Sequence, residues 1–528
     1  MLAAAAVATA ALSFTDVAEQ AGVRFKLDQS PTPEKHMIET MAGGLAAFDY
    51  DGDGLTDLFF TNGAALPAMD KSAPRYWNRL FRNEGGWKFR DVTEAAGVKG
   101  AGYSMGAAVG DFDNDGRADL FVAGVYRNIL YRNLGGGRFE DVTAKAGIKS
   151  DRWSVTAGWS DFDNDGLLDL WVVNYSNFST KDPRFCGDAA RGLRVYCHPK
   201  YFEPVPNQLY RNRGNGVFED VSARTGVAMH KGRGMGIAFG DYDGDGRMDA
   251  FVTNDNLPNF LFHNTGAGKF EETALLAGVA LLDSGKPVAS MGADWRDYDN
   301  DGRADLAITA LAGETFPLFH AEAGGLFRDA THASKLASLA AKKSGWGVGW
   351  GDFDNDGWQD LFTANSHVND MVEKLEAFPY KEPNSIFHNR GDGTFAEDSK
   401  ALAGAVRAHR GSVIADFDND GRLDIAVSAL GEPAELWRNT TASAGNWLGV
   451  ALEGKRSNRD GIGARVQFGR QTAWMQSASS YSSASLGALH FGLGEERAGK
   501  LTIRWPSGAA QFVDVGAVDR TIRVREPD

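Results

Sequence analysis

At 528 residues the chain is long enough for two or three ordinary domains, or for one large repeat domain with an appendix. Its 64 glycines against 16 prolines and its 43% hydrophobic fraction exclude a disordered polymer. The net charge of −15, from 70 acidic and 55 basic residues, argues against a nucleic-acid partner, and the lack of any run of ~20 apolar residues excludes a spanning helix.

In chain order, residues 1–12 open with the apolar run MLAAAAVATAAL, in which Ala8-Thr9-Ala10 resembles an export-cleavage site. The first basic residue is Arg24, so the charged start of such a signal is missing, and the segment reads as a signal remnant or a tail. SFTDVAEQAGV at 13–23 follows, a strand of the kind that ends later repeats, with no repeat before it.

From there one nine-residue turn recurs seven times, at intervals of 50 to 80 residues. Its acids are Asp49, Asp51, Asp53 and Asp57, then Asp111, Asp113, Asp115 and Asp119, then Asp161, Asp163, Asp165 and Asp169. Asp241, Asp243, Asp245 and Asp249 come next, followed by Asp297, Asp299, Asp301 and Asp305. The last two sets are Asp352, Asp354, Asp356 and Asp360, and Asp416, Asp418, Asp420 and Asp424. Around each turn the pattern holds: a glycine-rich segment such as SMGAAVG enters, DLFVAG leaves, LYRN or LFHN follows, and a strand of the type F-x-DVT closes the unit.

The longest insertion, 176–208, carries both cysteines, and a disulfide between Cys186 and Cys197 would staple it in an exported protein. The seventh repeat stops at LWRN, 436–439, without a fourth strand, while 13–23 supplies one. Closing the last sheet with the first strand leaves no long open edge, so the expected fold is an all-β, seven-bladed propeller over 13–440. Alternating segments such as WLGVALEG and LTIRWPSG predict a small β-domain over 445–526.

Acids at positions one, three, five and nine, with glycine at six, place four carboxylates around one point, the donor set a hard cation such as Ca2+ requires. Twenty-eight of the acids sit in these turns, and seven divalent ions would bring −15 to −1. An EF-hand needs an acid at position twelve, where this chain has Phe60, Val122, Val172, Val252, Ile308, Thr363 and Val427, all strand residues. The expected sites are therefore β-hairpin calcium turns, mainly structural.

The turns with their F-x-DVT strand resemble the FG-GAP or VCBS repeats also found in integrin α-subunit propellers. The segment from Gly445 to Glu526, with NWLGVALEGKRSNRDGIGARVQ, LHFGLG and LTIRWPSG, is similar to the ASPIC/UnbV domain. Together they resemble the cartilage acidic protein family, and the stretch SSYSSASLGALHFGLG departs from its usual glycine-rich pattern.

Propeller geometry then implies that the turns share one face, with the 176–208 insertion and the 366–370 connection on the other. Glu39, Tyr103, Arg152, Trp153, His230, Arg233, Trp346, His409 and Arg410 are expected to ring the channel there. The leading reading is a secreted, periplasmic or cell-surface calcium-binding platform for a protein or glycan ligand on that face. Two alternatives stand beside it. One is an enzyme of enediyne-type or exported-polymer chemistry using His230, Arg233, His409 or Arg410, and the other is a lectin. No known catalytic motif is present.

Overall fold

The computed structural model describes residues 11–528 apart from 150, 183, 399, 403 and 443, so the expected leader, Ala8-Thr9-Ala10 included, lies outside the described residues up to position 10. Strands carry the fold, and the α-helices among the described residues are single turns such as Thr93–Ala96.

Each aspartate turn joins the first two strands of one antiparallel sheet. In the second repeat the strands run Tyr103–Gly110, Asp119–Val125, Ile129–Gly135 and Arg138–Asp141, in that spatial order. The first strands of the other six sheets are Leu45–Phe48, Ser154–Ser160, Gly234–Gly240, Ala293–Arg296, Gly345–Gly351 and His409–Ala415. These first strands pack side by side in chain order, and the seventh packs against the first. The seventh sheet is completed by Phe14–Asp16, antiparallel to Glu435–Asn439 with Phe14 opposite Asn439.

The C-terminal strands form two further sheets. One holds Leu489–Gly494, Asn446–Glu453 and Arg520–Arg525, and the other holds Gln471–Trp474, Arg465–Phe468, Gly499–Arg504 and Ala510–Val515. Between Trp474 and Leu489 the chain leaves both sheets and runs down the middle of the repeat ring. There Ala484–Leu486 adds to the first sheet as a fifth strand, parallel to Ala46–Phe48.

This axial segment, part of which departs from the family pattern, bonds to the first strands of six sheets, and its Ala478 packs in one cluster with Ile237 and Phe239 of the other. Ser477 Oγ donates to Trp159 O, Ser482 Oγ to Val155 O, and Gln476 Nε2 to Trp295 O. Ser482 O accepts from Ala107 N–H, and Ser480 Oγ accepts from Val348 N–H while meeting Ser412 Oγ at 3.1 Å. Small residues make the fit possible: a methyl at Gly44 would collide with Ser482 O, and one at Gly158 with Ala478.

The far end of the axis is closed as well, which corrects the expected polar rim. Residues 28–43 fold over it, and Glu39, Tyr103, Trp153, Trp346, His409 and Arg410 are all fully buried. Arg410 donates Nε to Thr40 O at 2.6 Å and lies 4.0 Å over the Trp346 ring, while Tyr481 donates its hydroxyl to Met41 O. The sequence placed these residues at the entries to inner strands; the cover is the segment that includes Glu39, and its Thr40 stands 370 positions from the Arg410 that it meets.

Candidate metal centres in the aspartate turns

The second repeat illustrates how the turn is built. Asp111 Oδ1 accepts from Asp115 N–H at 3.0 Å and Oδ2 from Gly116 N–H at 2.6 Å. Asp119 Oδ2 accepts from Phe112 N–H, and its Oδ1 from Asn133 N–H on the third strand at 2.7 Å. Asp115 Oδ1 caps the Arg117 N–H. The position-one bonds recur at Asp49, Asp161, Asp241, Asp297, Asp352 and Asp416. The position-nine bonds recur at Asp57, Asp169, Asp249, Asp305, Asp360 and Asp424.

Position four is left-handed in every turn, with φ of 57° at Asn114 and 79° at Gly52. That explains the alternation of DND with DGD, since asparagine and glycine tolerate this backbone best. Position five also repeats: Asp53, Asp165, Asp245, Asp301, Asp356 and Asp420 each accept the N–H of position seven.

Position three is different. One oxygen faces a basic side chain of the third strand, as Arg132 Nε meets Asp113 Oδ2 and Arg82 Nε meets Asp51 Oδ2, both at 2.6 Å. Arg211 and Arg438 approach Asp163 and Asp418 likewise, whereas His263, His320 and His388 stand opposite Asp243, Asp299 and Asp354. The second oxygen, Oδ1 of Asp51, Asp113, Asp163, Asp299, Asp354 and Asp418, is buried without a hydrogen-bond partner. A buried acceptor left so costs ~1–3 kcal/mol. Six such atoms at one turn position fit a cation held between carboxylates, and the donor set of oxygens suits a hard one.

Burial, reinforced by neighbouring carboxylates, pushes Asp57 and Asp297 up to about 8 and Asp111 and Asp161 up to about 7. Burial alone would lower His388, but its bond to Asp354 and the charges of Asp360 and Asp354 outweigh it and push the imidazole up to about 9. Acids held this high take up a proton or a cation at neutral pH.

The asparagine after that basic residue is a positioning group that sequence reasoning passed over. Asn133 Nδ2 donates to Tyr50 O of the preceding repeat at 2.8 Å, and Asn212, Asn264, Asn389, Asn439 and Asn83 bridge neighbouring turns in the same way. Its mark in the sequence was the R-N or H-N pair of six repeats, which the fifth replaces with His320-Ala321.

The C-terminal sheets sit on this turn face. Asp460 Oδ2 accepts from Asp111 N–H, Asn114 Oδ1 from Arg459 N–H, and Asn355 Nδ2 donates to Gly445 O. On the opposite side Cys186 and Cys197 are bonded to each other. Of the weak catalytic candidates, His230 packs on Phe260 and Phe262, Arg233 donates to Phe202 O, and His409 lies between Asn365 O and Glu435 while its carbonyl accepts from Arg410 Nη1 at 2.7 Å.

Repeated four-stranded sheets, each with one acidic hairpin turn, define a β-propeller of the repeat type. The chain belongs to the FG-GAP-like repeat family, which residues 49–122, 111–172, 201–252, 241–308, 297–363 and 375–427 match, and residues 454–528 match ASPIC and UnbV. It is 28% identical to Cartilage acidic protein 1 of Mus musculus over 333 residues, covering 58% of this chain and 47% of that protein. The human protein of the same name is 27% identical over 353 residues, covering 62% and 49%. The chain thus spans about half the length of these relatives. A solved lectin of Agrocybe aegerita, described by its specific recognition of non-reducing terminal N-acetylglucosamine, aligns with a TM-score of 0.41 at 14% identity, covering 75% of this chain and 94% of its own. No described helix is long and apolar enough to cross a membrane.

Proposed function

We propose that the chain is an exported calcium-binding scaffold. Residues 13–440 form a seven-bladed ring closed by its N-terminal strand, and 445–526 form an ASPIC/UnbV-type domain seated on the turn face. The four acids of each turn, with backbone carbonyls, hold up to seven Ca2+ ions. Bound calcium supplies the positive charge that neutralises the acids and pins each bend. The observation that carries this reading is the buried, partnerless Oδ1 repeated at position three of six turns.

The interaction surface is the face away from the turns, because the C-terminal sheets already cover much of the turn face. That free side carries the disulfide-tied segment, where Phe185 and Tyr201 are exposed and stacked by Arg194, Arg184 and Lys200. Exposed aromatic and cationic groups together suit an acidic protein or glycan. Of the enzyme reading's four candidates, His409 and Arg410 form a bonded but fully buried pair, and His230 and Arg233 are held in other contacts.

Calorimetric titration of the chelator-stripped chain tests the metal: several calcium ions per chain are expected, and heats no larger than dilution would sink the proposal. Arg184→Ala combined with Tyr201→Ala is expected to abolish retention on an acidic glycan or acidic peptide matrix that holds the parent chain. Equal retention would remove the partner face.

A further inference from the structure

The seven turns differ in the cation that faces them. In four repeats the third strand presents an arginine, which has no lone pair and keeps its charge, so it competes with any ion for the position-three carboxylate. In three repeats a histidine stands there, and an imidazole, unlike a guanidinium, can give up its proton to an incoming metal and bind it. Two of the histidine turns still carry an arginine at position seven, Arg247 on Asp245 and Arg303 on Asp301. The turn at 352–360 has Trp358 at that position, and Arg470 stacks on Trp358 rather than on a carboxylate. Among the described residues no guanidinium pairs with its four acids.

We propose that Asp354, Asp356 and His388 form a mixed oxygen and nitrogen centre for a divalent transition ion of the zinc or cobalt class, set apart from the calcium turns. This sharpens the metal reading above and rests on it for the identity of the other turns. The donor atoms of the three residues all lie within 4.8 Å of one another. His388 Nε2 is 3.4 Å from Asp354 Oδ2 and 3.8 Å from Asp360 Oδ1. Asp354 is only 4% exposed, and its Oδ1 has no partner, so an acceptor oxygen is buried beside the imidazole with nothing to receive. Oxygen-only sets favour calcium, while an imidazole donor shifts preference toward zinc, cobalt and nickel.

The C-terminal sheets enclose this turn more tightly than a solvent-exposed hairpin. Gly494 N–H donates to Asn355 O at 2.7 Å, Asn355 Nδ2 donates to Gly445 O at 3.2 Å, and a methyl on Gly492 would strike the Asp352 carboxylate. Enclosure limits the waters that Ca2+ needs to complete its larger shell and favours an ion content with four ligands.

The test uses the full chain, stripped by chelator, dialysed into excess calcium, then titrated with Co2+ under visible absorption and back-titrated with Zn2+. Metal content is counted by mass spectrometry. A single tightly held cobalt ion with imidazole ligation is expected, displaced by zinc and not by calcium. His388→Arg copies the residue found in four sister repeats and so preserves the fold. It should weaken cobalt binding on the order of 100-fold, with the calcium count of the other turns unchanged. His263→Arg and His320→Arg should leave the cobalt band intact. Absence of a cobalt band in calcium, or an undiminished band in His388→Arg, overturns the proposal. Failure of calcium binding with a cobalt site lost in His388→Arg would strike the calcium reading and leave this centre standing.

Discussion

Replacing Tyr481 by alanine tests whether the axial segment holds the ring together. Its side chain is fully buried, its ring stands edge-on to Trp346 with centroids 4.9 Å apart, and its hydroxyl donates to Met41 O at 2.7 Å. Removing a buried aromatic costs ~3–5 kcal/mol, and a carbonyl stranded without a donor adds ~1–3 kcal/mol. These terms overlap, so the expected loss is about 5 kcal/mol, against about 1–2 kcal/mol for Tyr481→Phe, which keeps the ring and loses only the bond. Urea unfolding of the calcium-loaded chain, read by near-ultraviolet circular dichroism, measures the difference. Limited proteolysis between Trp474 and Leu489 reports whether the segment has come out. If alanine and phenylalanine variants unfold within ~0.5 kcal/mol of the parent and resist cleavage equally, the segment is not seated in the hub and the reasoning fails.

The remaining expectations concern the turns and the insertion. In chelator, acids such as Asp57, Asp297, Asp111 and Asp161 sit well above their unfolded value near ~3.9, at about 8, 8, 7 and 7. The stripped fold then binds protons more tightly than the unfolded chain. That stability is fully present below ~pH 4 and is lost as pH rises through ~7–8. With calcium the trend reverses, since binding requires deprotonated acids; melting curves that run parallel with and without calcium would contradict this. Asn133→Ala should cost about 2–3 kcal/mol by stranding the Tyr50 and Ala118 carbonyls, both accepted from the same amide, and denaturant midpoints would show it. Serine at both Cys186 and Cys197 should loosen the 176–208 segment by ~2–3 kcal/mol, seen as faster hydrogen exchange there with the sheets unchanged.

The turns were legible because four acids and a glycine at fixed offsets leave little else for the chain to do. The N-terminal strand was legible from arithmetic, a surplus fourth strand at 13–23 and a missing one after Asn439. The axial segment was not: Ser477, Ser480, Ser482 and Ser483 carry no hydrophobic period, and their partners are main-chain groups on strands 132 to 438 residues away. The expected rim at His409 and Arg410 misled for a related reason. Strand ends read as surface unless something covers them, and the cover at Met37–Thr40 has no local mark of that role. The arginine and histidine opposite position three were visible as letters in LYRN and LFHN, yet only the pairing of the third strand with the second brings them onto the acids.

The pairing of Phe14–Asp16 with Glu435–Asn439 also sets an order on biosynthesis. Ser13 and Thr441, which bond across this seam, stand 428 positions apart. During translation the first strand therefore waits without its mate until the seventh repeat has been made, and Tyr481 emerges later still. A ribosome product halted before that point carries an unpaired strand edge with Phe14 uncovered, so early termination is expected to send this chain toward chaperones and proteases rather than to a smaller working ring.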